Sequence, residues 1–497
     1  MNPTTMYFDL LRLALPETIV AVTALAVLAL GLARGRGAGV CSAVAAAGLL
    51  FATAAVLMLP EQANLFGEML VITPLTSLFK IICLALAFFT VILARGGNTP
   101  NHRGEYLALL LLATIGLMLL VGSEELLMIF IGLELTGLSL YVMAGFDKAA
   151  PRSAEAGLKY FLFGSTASAF TLFGLSLVYG MCGTTGLSAI GQKLTGGPVL
   201  PLLAAGIVMT LIGFAFKIAA APFHLWAPDT YQGAPIPSAA FIASGSKVAS
   251  FVVLGKIVLV GFGPAHGSAA WHAMIGGWAP ALAALAALSI VIGNLVALAQ
   301  SNVRRLLAYS AVAHSGYTLL GLIAGSREGF AATLFYTTAY AFTLIGAFGV
   351  VALVRRHTGG DDLAHFSALW SRSPLLAGCM TIFMLSLAGL PPLAGFFGKF
   401  YLFGATLRAG GNQGLLWLVA LALLGSFVSL YYYLAVLKAI FVDNPEFGTP
   451  DPESLPSIKL DFLERTSLSL LGLAVIVLGT FPDGLVSLIA ASLPPLR

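Results

Sequence analysis

Residues 199–235 read VLPLLAAGIVMTLIGFAFKIAAAPFHLWAPDTYQGAP. The run from Val199 to Phe216 is apolar enough to cross a bilayer, yet Lys217 follows it directly and Pro222 then interrupts it. Proline removes a backbone donor and clashes with the turn before it, and inside lipid every backbone polar group that is set free must find another partner. A charged residue beside a broken membrane helix is a costly arrangement that marks ion paths. The combination recurs at Pro391-Pro392, with Lys399 following. Two interrupted, charge-bearing spans therefore set the frame for reading the rest of the chain.

The composition agrees. Hydrophobic residues make up 59% of the 497 and charged residues only 9%, far less than the roughly one quarter charged in soluble domains, so lipid must be the solvent for most of the chain. The net charge of +4 is spread as single residues between apolar runs, without the basic arm or motif that nucleic-acid binding requires. Cys41, Cys83, Cys182 and Cys379 are far apart, which excludes a disulfide framework, a zinc site and an iron–sulfur site as written motifs. The first apolar run begins near Leu10. It is too long and too weakly flanked for a cleaved signal peptide, so it reads as a membrane helix.

Runs of about 20 apolar residues span a hydrocarbon core of about 30 Å. Fourteen are present, near 10–33, 38–60, 74–95, 105–122, 125–146, 155–182, 199–225, 236–262, 278–299, 305–324, 329–354, 374–405, 414–441 and 466–490. They are called spans 1 to 14 below, and the fold class they predict is an all-α polytopic membrane protein. Loops after odd-numbered spans hold Arg34, Arg36, Arg95, Arg103, Lys148, Arg152, Arg304, Arg305, Arg355, Arg356, Arg372, Lys438, Lys459 and Arg465, whereas loops after even-numbered spans hold Lys193, Arg327 and Arg408. By the positive-inside rule the odd loops are cytoplasmic, and both termini are periplasmic. The interrupted spans 7 and 12 are each the fourth of five, in spans 4–8 and 9–13. Because five is odd, the second set starts from the opposite side, which is the signature of inverted repeats. The chain accordingly divides into 1–104 (three helices), 105–265 (first repeat), 266–445 (second repeat) and 446–497 (a cytoplasmic loop and span 14).

Six lysines fall inside spans: Lys80, Lys159, Lys217, Lys247, Lys256 and Lys399. Lys80 and Lys159 lie close enough to span starts that snorkelling to the headgroups accounts for them as well as function does, and a structural role fits Lys256. Lys247 is different. It stands about eleven residues or more from either end of span 8, roughly 16 Å at the least by the helical rise, and a lysine stem reaches only about 6 Å. It must be neutral, paired or in contact with internal water, which Ser244 and Ser250 on its face could hold. Glu134 is the one carboxylate near the middle of a span, and Lys217 is its expected partner, since each is costly to bury alone. A lysine in low dielectric is driven toward its neutral form, and an approaching glutamate reverses that, so such a pair moves a proton by electrostatics alone. His314 shares a face with Ser310, Tyr317 and Thr318, and span 11 adds Thr333, Tyr336, Thr337, Tyr340 and Thr343 at three- and four-residue spacings. These polar stripes suggest a hydrated path. His224 sits at the span 7 break, where a structural partner for freed backbone groups is as good a reading as a proton carrier.

These residues resemble a known family. The run from Phe216 through Lys217, Pro222, His224-Leu225-Trp226 and Pro228-Asp229-Thr230-Tyr231 to Gly233-Ala234-Pro235 looks like the central motif of antiporter-like membrane subunits. Leu307-Ala308-Tyr309-Ser310 with His314-Ser315-Gly316-Tyr317, and Gly389-Leu390-Pro391-Pro392 with Gly395-Phe396 and Lys399, are similar to that family as well. It includes the L, M and N subunits of respiratory complex I, the large subunits of cation/proton antiporters and membrane subunits of related hydrogenases. Residues 153–162, the run Ser176-Leu177-Val178-Tyr179-Gly180 and the early Leu15-Pro16-Glu17 resemble the N type. Lys399, where the M type has an acidic residue, agrees, and no lateral helix of the L type is expected.

The resemblance implies a pair of half-channels, with Glu134, Lys217 and Lys159 serving the first, Lys247 the centre, and Lys399 with His314 the second. It implies neighbours of the M and K types within a bacterial inner membrane, with protons as the cargo. It also implies no cofactor in this chain, flavin, iron–sulfur clusters and quinone belonging to other subunits. No Rossmann or P-loop signature contradicts this. The competing reading is a subunit of a multisubunit Na+/H+ antiporter, which would work without redox input. A lipid-facing spacer would leave several mid-membrane charges unexplained.

Overall fold

The computed structural model describes residues 11–33, 38–95, 102–195, 199–409, 414–443 and 457–493. Leu10, the expected start of span 1, and the loop residues Arg34 and Arg36 lie outside these residues. Each expected span contains a helix: Leu15–Leu32, Ala38–Leu57, Pro74–Arg95, Arg103–Val121, Leu126–Ala144, Pro151–Cys182, Pro201–Lys217, Ile236–Gly261, Trp278–Ala297, Val303–Ile323, Arg327–Thr358, Pro374–Ala388, Leu416–Phe441 and Phe462–Thr480. Among the described residues twelve of these are long and apolar enough to cross a membrane; the two shorter ones are Pro201–Lys217 and Pro374–Ala388. Those two are the leading halves of spans 7 and 12. Span 7 leaves the helix at Ile218 and resumes as Trp226–Gly233, and span 12 resumes as Ala394–Ala409. The proline interruptions therefore appear where the sequence places them.

Local signals fix the ends. Proline opens Pro151–Cys182, Pro201–Lys217 and Pro374–Ala388, at the position where its missing donor costs nothing. Asn302 and Ser326 cap spans 10 and 11 by accepting from the Arg305 and Gly329 amides, and Asp461 with Glu464 forms a capping box at span 14.

Three features depart from the sequence reading. Span 14 is not continuous to residue 490: it ends at Thr480, and Pro482 begins a separate helix to Ser492, as a proline at a first helical position allows. Two β-hairpins are present, β1 (Ala63–Leu65) with β2 (Leu70–Ile72), and β3 (Ser268–Ala270) with β4 (Ala273–Ile275). Strands of three residues carry too little alternation to be read from sequence. Span 8 contains two π-helical stretches, Ile242–Ser246 and Ile257–Gly261, and the ordinary α-helical segment between them begins at Lys247 and ends at Lys256.

Loops after even-numbered spans meet on one face. The Val71 amide donates to the Gly122 carbonyl at 2.7 Å, and Trp271 donates to Gly414 at 3.0 Å. Both hairpins lie here, and we call it the hairpin face. Loops after odd-numbered spans meet on the other, basic face, where Asn302 pairs with Asp362 and Ile458 donates to the Arg372 carbonyl at 3.1 Å. The interior belongs to spans 8, 10 and 11. Over an apolar 18-residue stretch of each helix, every residue of span 8 is buried, as are 94% in spans 10 and 11, against 33% in spans 1, 6 and 13. The outer helices keep leucine and phenylalanine on the surface, for lipid or neighbouring subunits to cover.

Candidate functional site

The buried lysines divide by what holds them. Lys217, the last helical residue before the span 7 break, aims its ammonium at the Leu133 carbonyl (3.5 Å) and the Tyr141 hydroxyl (3.4 Å) of span 5. It lies 5.5 Å from the centre of the Tyr141 ring, within cation–π range. Gly137 makes this possible, because a Cβ there would sit 2.8 Å from the Lys217 nitrogen. Lys247 donates to the Ala311 carbonyl at 2.6 Å and to Ser315 Oγ at 2.9 Å, both on span 10, and faces the Tyr340 ring at 5.4 Å. Lys399, five residues into the second half of span 12, reaches back to the Leu387 (3.2 Å) and Ala388 (2.9 Å) carbonyls that end the first half, and to Ser426 Oγ at 2.8 Å. A cation at a helix carboxyl end meets the negative pole of the helix dipole. Among the described residues no carboxylate forms an ion pair with any of these three lysines.

The expected Glu134–Lys217 pair is not closed. Glu134 is half-buried and accepts a 2.5 Å hydrogen bond from Ser168 on span 6 instead. Its position, one residue from the Leu133 carbonyl that Lys217 faces, keeps it on the same helix turn while its carboxylate points elsewhere. Lys159 is neither buried nor free to snorkel. It pairs with Glu155 and with Asp229, each at 2.6 Å, and Asp229 also receives Arg305 at 2.6 Å. Asp229 thereby ties span 6 to span 10 on the basic face.

His314 is enclosed by phenols. Tyr336 OH lies 2.6 Å from Nδ1 and Tyr433 OH 2.9 Å from Nε2, and Tyr433 OH is 2.5 Å from Ser310 Oγ. The Tyr340 ring packs 4.9 Å from the imidazole. Tyr340 thus faces both Lys247 and His314, while Tyr317 packs 5.6 Å from His314 and lies under the Lys399 ammonium at 5.2 Å. A chain of side chains therefore runs from Lys247 through Tyr340, His314 and Tyr317 to Lys399. The threonines expected beside this path donate to their own helix: Thr337 to the Thr333 carbonyl and Thr343 to the Ala339 carbonyl, the usual resort of a hydroxyl in a membrane helix, with Thr343 also 3.5 Å from Ser386 Oγ. Ser244 does the same at 2.6 Å, so Lys247 takes its partners from span 10 and not from its own face. His224 is buried at the span 7 break, its Nδ1 without a hydrogen-bond partner among the described residues.

The break itself is stitched by the second half of the chain. Ser289 of span 9 accepts from the Ala221 amide at 2.8 Å, and Ser315 donates to the Ile218 carbonyl at 2.5 Å. Ser315, Ser289, Tyr433, Ser426 and Asn294, which donates to Tyr317 OH at 2.8 Å, were not legible as site residues. Ser289, Ser426 and Asn294 stand in apolar surroundings, Ser315 sits beside His314 and Tyr433 is one of three successive tyrosines, so only tertiary proximity distinguishes them.

The other two lysines have carboxylate partners. Lys80 does not snorkel: it is buried and lies 2.7 Å from Glu17. Lys256 is equally buried and lies 3.1 Å from Glu124.

A two-fold broken helical membrane fold with lysines at both breaks defines the class, and comparison with known proteins agrees. The family model for the membrane helices of NADH:quinone oxidoreductases and Mrp antiporters matches residues 123–426. The chain belongs to this family and, within it, to the subunit N group. It is 45% identical to NADH-quinone oxidoreductase subunit N 2 of Acidobacterium capsulatum, covering 97% of this chain and 99% of that one. It is 39% identical to subunit N of Moorella thermoacetica, with 96% of each covered. A chain of respiratory complex I from Thermus thermophilus superposes with a TM-score of 0.78 at 33% identity, covering 96% of this chain. A chain of the Mrp complex from Dietzia sp. shares the fold, with a TM-score of 0.81 at 21% identity over 97% of this chain.

Proposed function

We propose that the chain carries protons across the membrane as subunit N of a bacterial NADH-quinone oxidoreductase, without itself handling electrons. The observation that carries this is the way Lys217, Lys247 and Lys399 are held: each is buried among hydroxyls and backbone carbonyls, with no carboxylate pair among the described residues. A charge stabilised only by dipoles in a low-dielectric interior is costly, and no ion pair has to break when its proton leaves. Such groups exchange protons with water and neighbouring hydroxyls, whereas a salt-bridged lysine can release one only to the carboxylate paired with it.

In this reading Glu134, Lys217 and Lys159 serve the first half of the path, Lys247 the centre, and His314 with Lys399 the second half. His224 flanks the first break. Residues 105–265 and 266–445 act as inverted repeats around Lys247, preceded by the three-helix segment 1–104 and followed by 446–497. Flavin, iron–sulfur clusters and quinone belong to other subunits, and subunits M and K are the neighbours. The basic face looks into the cytoplasm, both termini lie in the periplasm, and the bilayer is the inner membrane, as the distribution of lysine and arginine supports.

The test is Lys247→Met in the assembled complex, which keeps stem length and removes the titratable nitrogen. NADH-driven acidification of inverted vesicles should fall severalfold per complex, and NADH:quinone turnover should fall with it. A Met variant that assembles and pumps at the wild-type rate overturns the reading. Co-purification of NADH-oxidising activity with the chain separates it from an antiporter that works without redox input.

A further inference from the structure

A second group of buried charges lies outside the path just described, at the hairpin face. Lys80 of span 3 and Lys256 of span 8 both converge on the short segment that links spans 4 and 5. The Lys256 ammonium donates to the Val121 carbonyl at 3.0 Å and to the Ser123 carbonyl at 3.5 Å, and pairs with Glu124 at 3.1 Å. Lys80 packs onto Gly122 between them: a Cβ there would stand 3.0 Å from its Cε and 3.3 Å from its Nζ. Glu17 of span 1 supplies the countercharge to Lys80 at 2.7 Å. That contact pairs charges without hydrogen-bond alignment, so among the described residues both Glu17 oxygens and the Lys80 nitrogen lack hydrogen-bond partners.

The group is graded toward water. The Lys80 and Lys256 side chains are 1% exposed, the Glu17 side chain 9% and the Glu124 side chain 24%. Beyond Glu124 stands Glu68, in the turn between β1 and β2, whose carbonyl accepts from the Glu124 amide at 3.0 Å. Burial and the nearby Glu124 carboxylate hold Glu68 above the ordinary carboxylate range, which keeps a proton-accepting group at the mouth. Lys256 also repeats the setting of Lys247: each closes one end of the same α-helical segment, against a π-helical stretch. π-Helical turns recur at functional sites. Stability alone does not account for two adjacent buried ion pairs, since such pairs add little over well-packed apolar residues.

We propose that Glu17, Lys80, Glu124 and Lys256 form a proton-release station on the hairpin face, with Lys256 as donor and Glu124 as outlet. The proposal rests on the reading of the chain as a proton carrier. In the release step the Lys256 ammonium gives its proton to the Glu124 carboxylate, leaving a neutral amine and a neutral carboxylic acid. Glu124 then gives that proton to water at the face and becomes a carboxylate again, and a proton arriving from the interior recharges Lys256. Lys80, held across Gly122 from Lys256, repels the second ammonium and favours its discharge, while Glu17 sets how much of that repulsion is felt.

The experiment uses the intact complex in inverted membrane vesicles, with NADH as fuel, a pH-sensitive acridine dye as probe and Lys247→Met as reference. Lys256→Arg keeps the ion pair and the fold but holds its proton at any working pH, and Glu124→Gln keeps the shape but cannot accept a proton. Each should lower NADH-driven acidification at least threefold per assembled complex, whereas Glu124→Asp, still titratable, should lose less than twofold. Lys256→Arg and Glu124→Gln at the wild-type rate, beside a blocked Lys247→Met, overturn the station and leave the carrier reading intact. Reduced complex content with unchanged acidification per complex assigns the pairs to structure and also overturns it. Wild-type acidification in Lys247→Met removes the carrier reading on which the station rests.

Discussion

The Lys247 ammonium and the Ser315 hydroxyl are 2.9 Å apart, and the same hydroxyl donates to the Ile218 carbonyl freed by the break in span 7. One serine thus touches the central lysine and the first interruption at once. Ser315→Ala removes both contacts and leaves Lys247 with the Ala311 carbonyl and the Tyr340 ring. A hydrogen bond to a charged group is worth roughly 1.5–3 kcal/mol, so proton pumping per complex should drop about tenfold or more. The check is NADH-driven acidification normalised to assembled complex. Wild-type pumping in Ser315→Ala would show that the contact positions nothing.

Gly137 offers a test of Lys217 that leaves the lysine in place. Gly137→Ala puts a methyl 2.8 Å from the ammonium. The side-chain end can swing away, so the helix survives and the nitrogen moves off Tyr141. Assembly and thermal stability should remain within about 1 kcal/mol of wild type, while pumping falls severalfold. Gly137→Ser should behave likewise. If both pump normally, the position of the Lys217 nitrogen is immaterial.

Tyr433 joins span 13 to His314 and Ser310. Tyr433→Phe keeps the ring and deletes the hydroxyl, leaving a buried imidazole nitrogen without its partner at a cost of about 1–3 kcal/mol. Pumping should fall while the NADH-oxidising activity of the peripheral subunits, measured with an artificial acceptor, stays unchanged. An equal fall in both activities would point to failed assembly.

On the basic face, Asp361 accepts from Asn302 at 2.7 Å and pairs with Arg304 and with Arg355, the latter at 3.2 Å. Burial raises its carboxyl, but the two guanidiniums and Asn302 outweigh this and hold it below the ordinary range. A depressed folded value means that its stabilisation is complete above about pH 4, where the unfolded carboxyl is ionised. It is lost as pH falls through the folded value. Asp361→Asn should cost about 3–5 kcal/mol at neutral pH by leaving Arg304 buried without its partner. It should also flatten the acid limb of thermal unfolding in detergent. An acid limb as steep as wild type would show that another group governs it.

The membrane spans were legible because twenty apolar residues in a row have few alternatives, and the breaks because proline acts locally at Pro222 and Pro391. Lys217, Lys247 and Lys399 were legible because their depth can be counted along a helix. What they touch was not. Ser244, beside Lys247 in sequence, turns to its own backbone, and the true partner of Lys247, Ser315, lies 68 residues away. Glu134 and Lys217 were matched because opposite charges in lipid should meet, yet a single serine, Ser168, engages the carboxylate first. Lys80 looked able to reach the headgroups because its distance from the span start says nothing of Glu17 on another helix. Pairing is a property of packing between spans, and a one-dimensional pattern does not contain it.

The stitching of the span 7 break by Ser289 and Ser315 restricts how cargo can cross. Rocking one half of the chain against the other would tear the Ala221 and Ile218 backbone groups from their partners at a depth where no bulk water replaces them. A turnstile is therefore the wrong picture for this molecule. Conduction has to proceed through a scaffold that stays shut, with side chains reorienting by a few ångströms and water threading between them. That suits a cargo as small as a proton.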